Sequence, residues 1–94
     1  MNNSNYLHQN FRIMNKEEIK GRIEEIIVDK SGVDPRQVTE NAHFENDLGM
    51  DSLDRIELIM NVEREFKVSI SLDEEETVHT VDELASLVEN KLKL

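Results

Sequence analysis

The sequence predicts an all-α fold: a small bundle of three main helices and one short helix, with a long loop between the first two. Three stretches place apolar residues three and four positions apart, the period of a helix with one buried face. Two of them open on a capping signature, Asn15 with Glu18 and Thr80 with Glu83. The β-branched run "KVSIS" is short and has no second run to pair with, so no sheet is expected.

Residues 1–14 are rich in Asn and predict a flexible extension, with Tyr6, Leu7, Phe11 and Ile13 as its candidates for packing; the folded domain is assigned to 15–94. In the first helix Ile19, Ile23, Ile26 and Ile27 form the apolar stripe, and Gly32 stands where a left-handed residue ends a helix. The connection to Asp51 is long and must be pinned to be ordered. Asp34 can cap a single turn with Pro35 at its first position, and Val33, Val38, Phe44 and Leu48 are the pins. The second helix opens at Asp51 or Ser52. Leu53, Ile56, Ile59, Met60, Val62 and Phe66 make its apolar side, opposite Asp54, Glu57, Asn61, Arg64 and Glu65. Arg55 falls on the apolar side in the first turn, where a long stem lets the guanidinium reach outward. "KVSIS" then plugs the core with Val68 and Ile70, "LDEEETV" forms the short helix, and Leu84, Leu87, Val88 and Leu92 line the last helix.

A chain of 94 residues fits one domain with a modest core. Its 21 acidic and 11 basic residues give a formal charge of -10, which opposes nucleic acid and anionic membranes and favours partners with basic surfaces. The absence of cysteine excludes disulfides, thiolate nucleophiles and Cys-metal sites. His8, His43 and His79 are scattered without metal-ligand spacing, and no metal site is expected. The run Asp73 to Glu76 lacks the alternation and the glycine of a calcium loop and reads as a solvated acidic face. No apolar run has the length of a membrane span. The N-terminus lacks the basic and continuous apolar regions of a signal peptide, so a cytoplasmic monomer is expected.

The stretch "DLGMDSLDRIEL" sets a lone serine, Ser52, among carboxylates at the mouth of a helix. A nucleophile elbow needs flanking glycines, a preceding strand and a positioned histidine; here Gly49 is three residues upstream and no strand precedes. Ser52 is a good helix cap, but Asp51 caps equally well, with Asp54 favoured by the helix dipole. Ser52 is then free to point outward, where a helix N-terminus suits a phosphate. The chemistry indicated is modification by another enzyme.

At this point "DLGMDSLDRIELIMNVEREF" resembles the attachment motif of the acyl carrier proteins, whose core is Asp-Ser-Leu preceded by Leu-Gly-x. "NKEEIKGRIEEIIVDKSGVDPRQVTENAHFENDLG" resembles that family's first helix and loop, and "FKVSISLDEEETVHTVDELASLVENKL" its end, so the resemblance covers residues 15–94. It implies 4'-phosphopantetheine on Ser52, donated from coenzyme A by a phosphopantetheinyl transferase, with acyl groups held as thioesters and no catalytic residue in the chain itself. It also implies a docking face of Asp51, Leu53, Asp54, Ile56, Glu57 and Met60 for acyl-transferring and chain-elongating enzymes with basic surfaces. The pathway implied is fatty acid biosynthesis. The alternatives are a dedicated carrier of polyketide, specialised lipid or aminoacyl cargo, and, in a different class, an unmodified acidic helical interaction module. The resemblance further implies that an acyl chain folds back into the bundle. The lining expected is Phe44, Leu48, Ile56, Ile59, Met60, Ile70, Val78, Leu84 and Leu87, with no charged group among them. Arg55 and Arg64 depart from the family by placing positive charge in a helix that is often more uniformly acidic.

Overall fold

A computed structural model describes residues 14–93; the predicted extension, apart from Met14, lies outside the described residues, as do His8 and Leu94. Among the described residues the fold is all-α, with four helices: α1 Lys16–Ser31, α2 Ser52–Phe66, the short α3 Leu72–Glu75 and α4 Val81–Leu92. A single 3₁₀ turn, Pro35–Gln37, lies in the long loop between α1 and α2.

Local chemistry sets the ends of these elements. Asn15 Oδ1 accepts from the Glu18 amide (2.9 Å) while Glu18 Oε1 accepts from the Asn15 amide (3.0 Å), satisfying two donors that a helix start leaves open. At the other end Gly32 takes φ 69° and returns its N–H to Val28 O, a conformation that costs glycine nothing. Asp34 accepts from the Arg36 amide at 2.9 Å and starts the 3₁₀ turn. The α3 helix has a capping box that the sequence reading did not predict: Ser71 Oγ accepts from the Glu74 amide, and Glu74 Oε1 from the Ser71 amide. Thr80 keeps only half of its predicted box. Its hydroxyl accepts from the Glu83 amide (3.1 Å), but the Glu83 carboxylate accepts from His79 N (2.7 Å), one residue earlier than a box requires.

The core lies where α1 packs on α4 and α2. Ile19, Ile23 and Ile27 are buried and Ile26 half-buried. The predicted pins Val38, Phe44 and Leu48 are buried and Val33 half-buried; Ala42 and Met50 join them. Val68 and Ile70 pack half-buried against the core. From α4, Leu84 and Val88 are buried together with Val81 and Ala85, while Leu87 and Leu92 sit at its margin. The long loop is also held by its backbone. His43 and Thr80 form an isolated antiparallel bridge, Phe44 N donates to His79 O and Asp82 N to Glu40 O, each at 2.8 Å.

Three expectations are corrected. On α2, Leu53, Ile56 and Met60 are exposed, and the buried stripe is Leu58, Ile59, Val62 and Phe66 with Arg55. The apolar residues of this helix wrap more of its circumference than one neighbouring interface can cover, so one edge of the arc is left outside. Arg55 does not reach outward: it is 8 % exposed, and the core therefore contains a charge. The acidic run is not uniformly solvated. Asp73 and Glu76 are exposed, but Glu74 pairs with Lys91 (3.0 Å) and Glu75 is half-buried beside Arg55.

Candidate functional site

The approach to α2 fixes the site. Gly49 turns the chain at φ 68°, and buried Met50, whose amide donates to Phe44 O, anchors it. Asp51 is extended and is the N-cap: its Oδ1 accepts from Asp54 N (2.9 Å), and Asp54 Oδ2 accepts from Asp51 N (3.1 Å). Two aspartates thus form a reciprocal capping box, and their charges face the positive end of the helix dipole. With the cap supplied by Asp51, Ser52 occupies the first helical position, exposed, and its hydroxyl has no hydrogen bond within the described residues.

The outer face of α2 gathers most of the residues expected to dock partners. Leu53, Ile56 and Met60 are 62 %, 48 % and 50 % exposed, which is unusual for three large apolar side chains on one helix. Glu57 and Asp51 are exposed and Asp54 half-buried. Successive steps of four residues, about 6 Å of rise each, carry one ridge from Ser52 through Ile56 and Met60 to Arg64. At the far end is an open cleft of about 260 Å³, lined by Lys30, Glu57, Met60, Asn61 and Arg64. Arg64 Nη1 donates to Asn61 Oδ1 (3.1 Å), and Asn61 Nδ2 donates to Glu57 O (2.8 Å), which orients the guanidinium. The sequence reading placed Asn61 and Arg64 on the polar arc but did not bring Lys30 to them, because that contact joins two helices.

Beneath Ser52, on the inner side of the same turn, lies Arg55. Its Nη2 donates to Glu75 O (2.8 Å) and Val78 O (2.9 Å). The guanidinium stands 5.8 Å from the centre of the Phe44 ring, and Nε is 3.9 Å from carboxylates of both Glu45 and Glu75. Nη1 is buried and has no partner. Nearby, His43 and His79, distant in sequence, stack with ring centres 5.4 Å apart and planes 6° apart. Glu45 completes a group of three possible metal ligands. His43 Nδ1 already accepts from the amides of Glu45 (3.2 Å) and Asn46 (3.0 Å), so that lone pair organises the turn, and the geometry favours a loop clasp over a metal centre.

Among the described residues no helix is long and apolar enough to cross a membrane.

The described residues thus form a small helical domain with an exposed, unbonded serine at the mouth of α2. The family model described as a phosphopantetheine attachment site matches residues 21–88. The chain is 42 % identical over 76 residues to acyl carrier proteins of two Porphyromonas gingivalis strains, ATCC 33277 and W83, a match covering 81 % of this chain and 97 % of each relative. It also superposes on the structure of the acyl carrier protein of Enterococcus faecalis with a TM-score of 0.70, at 27 % identity, over 83 % of this chain and 99 % of the other. The chain belongs to the acyl carrier protein family. It is a non-enzymatic carrier with a phosphopantetheine attachment site. The local geometry fits that group. An exposed, unbonded hydroxyl at a helix N-terminus leaves room for a phosphodiester beside the first-turn amides. When bound, phosphopantetheine supplies a flexible arm ending in a thiol that can hold an acyl group as a thioester.

Proposed function

We propose that this carrier holds acyl intermediates as thioesters on a 4'-phosphopantetheine arm attached to Ser52, in fatty acid biosynthesis, and that residues 15–94 form its carrier unit. The observation that carries the assignment is the division of labour at the start of α2: Asp51 caps the helix and Ser52 is left exposed and unbonded. A phosphopantetheinyl transferase acting on coenzyme A would supply the chemistry. It and the acyl-handling enzymes would meet the face formed by Asp51, Leu53, Asp54, Ile56, Glu57 and Met60, with basic groups opposite the acids and apolar groups opposite Leu53, Ile56 and Met60. The net charge of -10 supports that pairing and a monomeric carrier; the compartment we propose is the cytoplasm.

A second reading, a dedicated carrier of polyketide, specialised lipid or aminoacyl cargo, is favoured by the cleft that sets Lys30 and Arg64 beside Met60. Cations on this face would reject partners whose surface is wholly basic.

The test is an intact-mass measurement after incubation with a transferase, magnesium and coenzyme A. The wild type should gain one phosphopantetheine. Ser52→Ala should gain none while retaining its helical circular dichroism. Modification of that variant at Ser31, Ser69, Ser71 or Ser86 would overturn the assignment. An unmodified wild type would favour the acidic interaction module.

A further inference from the structure

The outer face of α2 changes sign along its length. Asp51, Asp54 and Glu57 stand towards the serine end, and Arg64 stands at the far end, where Lys30 of α1 lines the same cleft. Among the described residues Lys16, Lys20, Arg22, Arg36, Arg55 and Lys91 each pair with a carboxylate. Lys30 and Arg64 are exposed and make no such pair, in a chain of net charge -10. A place in the last turn of a helix accounts for each cation singly, because each meets the negative end of its own helix dipole. It does not account for their meeting in one cleft of about 260 Å³ beside the exposed Met60. Nor does it account for the two-bond relay, from Glu57 O through Asn61 to Arg64, that holds the guanidinium. A guanidinium fixed in advance loses less freedom when it takes a carboxylate.

We propose that the cleft of Lys30 and Arg64 receives an aspartate or glutamate side chain of an acyl-handling enzyme. The docking patch of that enzyme carries basic groups opposite the serine end, apolar groups opposite Leu53, Ile56 and Met60, and an acid opposite Arg64. This rests on the reading that the outer face of α2 docks partner enzymes, and adds to it a charge the partner must supply. From Asp51 to Arg64 the helix rises about 20 Å, more than twice the screening length of about 8 Å at physiological salt. The two ends are therefore read separately. The order of charges fixes the direction in which the partner lies along α2, since turning it end for end sets like charges opposite each other. A second copy of the chain laid antiparallel offers the same order of charges, but its own net charge of -10 opposes the encounter.

The experiment uses the full chain, loaded with phosphopantetheine and checked by intact mass. Failure to load would count against the Ser52 reading alone, and the comparison is then read on the unmodified chain. The probes are a pair of fluorescent helical peptides of equal length with the same apolar stripe. One is basic throughout; the other is basic at one end and carries glutamates at the other. Affinity is measured by fluorescence anisotropy at physiological salt, and the site by NMR of the labelled chain. Net charge alone favours the wholly basic peptide. The proposal requires the reverse: the mixed peptide should bind several-fold tighter and shift the Arg64 Nε–H and Met60 methyl resonances. Lys30→Glu combined with Arg64→Glu should turn the preference to the basic peptide. Lys30→Gln combined with Arg64→Gln should remove most of the mixed peptide's advantage, and carries the comparison if the glutamate variant does not fold. The proposal is overturned if the basic peptide binds the wild type at least as tightly as the mixed one, if neither binds, or if the mixed peptide leaves the cleft resonances unmoved. Shifts of those resonances that grow with the chain's own concentration, without peptide, would assign the face to a second copy and overturn it as well.

Discussion

Asp51 and Ser52 stand side by side, and either has the chemistry to cap α2. The structure gives the cap to Asp51, through a bond to the Asp54 amide that Asp54 reciprocates. A cap is worth about 1 kcal/mol (roughly 0.5–2) on replacement by alanine. Urea denaturation of Asp51→Ala should therefore show a loss of about that size, Asp51→Asn should recover most of it, and Ser52→Ala should stay within about 0.5 kcal/mol of the wild type. A larger loss from Ser52→Ala would mean that the serine is structural. At this scale the sequence was legible as far as two candidate caps. What it could not decide was which of two adjacent oxygens faces the helix, because that depends on where buried Met50 anchors the incoming chain. Arg55 was legible as an anomaly on the apolar side. Its burial was not, since the acceptors that hold it are backbone carbonyls of Glu75 and Val78, groups every residue has.

At the scale of the element, ends were easier to read than faces. Asn15, Glu18 and Gly32 announced α1, and each does what its type implies. The end of α2 gave no such signal, because the left-handed position is held by Lys67 at φ 57°. A side chain there costs about 1–2 kcal/mol that glycine avoids. Lys67→Gly should therefore raise the denaturation midpoint by up to about 1 kcal/mol equivalent, after the entropy glycine adds to the unfolded chain. An unchanged or lowered midpoint would mean that the Lys67 side chain contributes contacts of its own. The faces of α2 were ambiguous for a reason that bears on function. Its apolar residues form two sets, Leu58, Ile59, Val62 and Phe66 inside and Leu53, Ile56 and Met60 outside, and periodicity merged them. The docking reading makes the outer set matter. Glu57→Lys should slow phosphopantetheine transfer without lowering the melting temperature, and added salt should reduce the difference between the two proteins. Equal rates at low salt would make Glu57 a spectator.

For the molecule as a whole, charge governs behaviour with pH. Bonds to Arg36 hold the Asp34 carboxyl below its ordinary value, and Lys16 does the same for Asp82. Glu74 is lowered first by the Ser71 amide and then by Lys91. A carboxyl whose folded-state pKa is lowered binds its proton more readily when unfolded, so stability rises with pH across the interval between the two values. That contribution is complete above the ordinary values of 3.8 for Asp and 4.5 for Glu, and is lost as pH falls through the lower folded ones. Glu24, raised by burial, acts with the opposite sign. In high salt, which screens repulsion from the net -10 charge, the melting temperature should drop as pH falls below about 4. Replacing Asp34 and Asp82 by Asn and Glu74 by Gln together should flatten that drop; an unaltered profile would show that other carboxyls govern it. The tie between the long loop and the start of α4 has a consequence for solvent exchange. Two amide bonds between the loop and the chain around the start of α4, Phe44 to His79 and Asp82 to Glu40, flank the bridge between His43 and Thr80. A loop fastened in this way opens only when α4 leaves the core, so the Phe44 amide should exchange deuterium as slowly as interior amides of α4, near the limit set by global unfolding. The Glu45 and Asn46 amides, which rest only on His43 Nδ1, should exchange sooner, making one short stretch of chain report both the slowest and the faster openings of the domain.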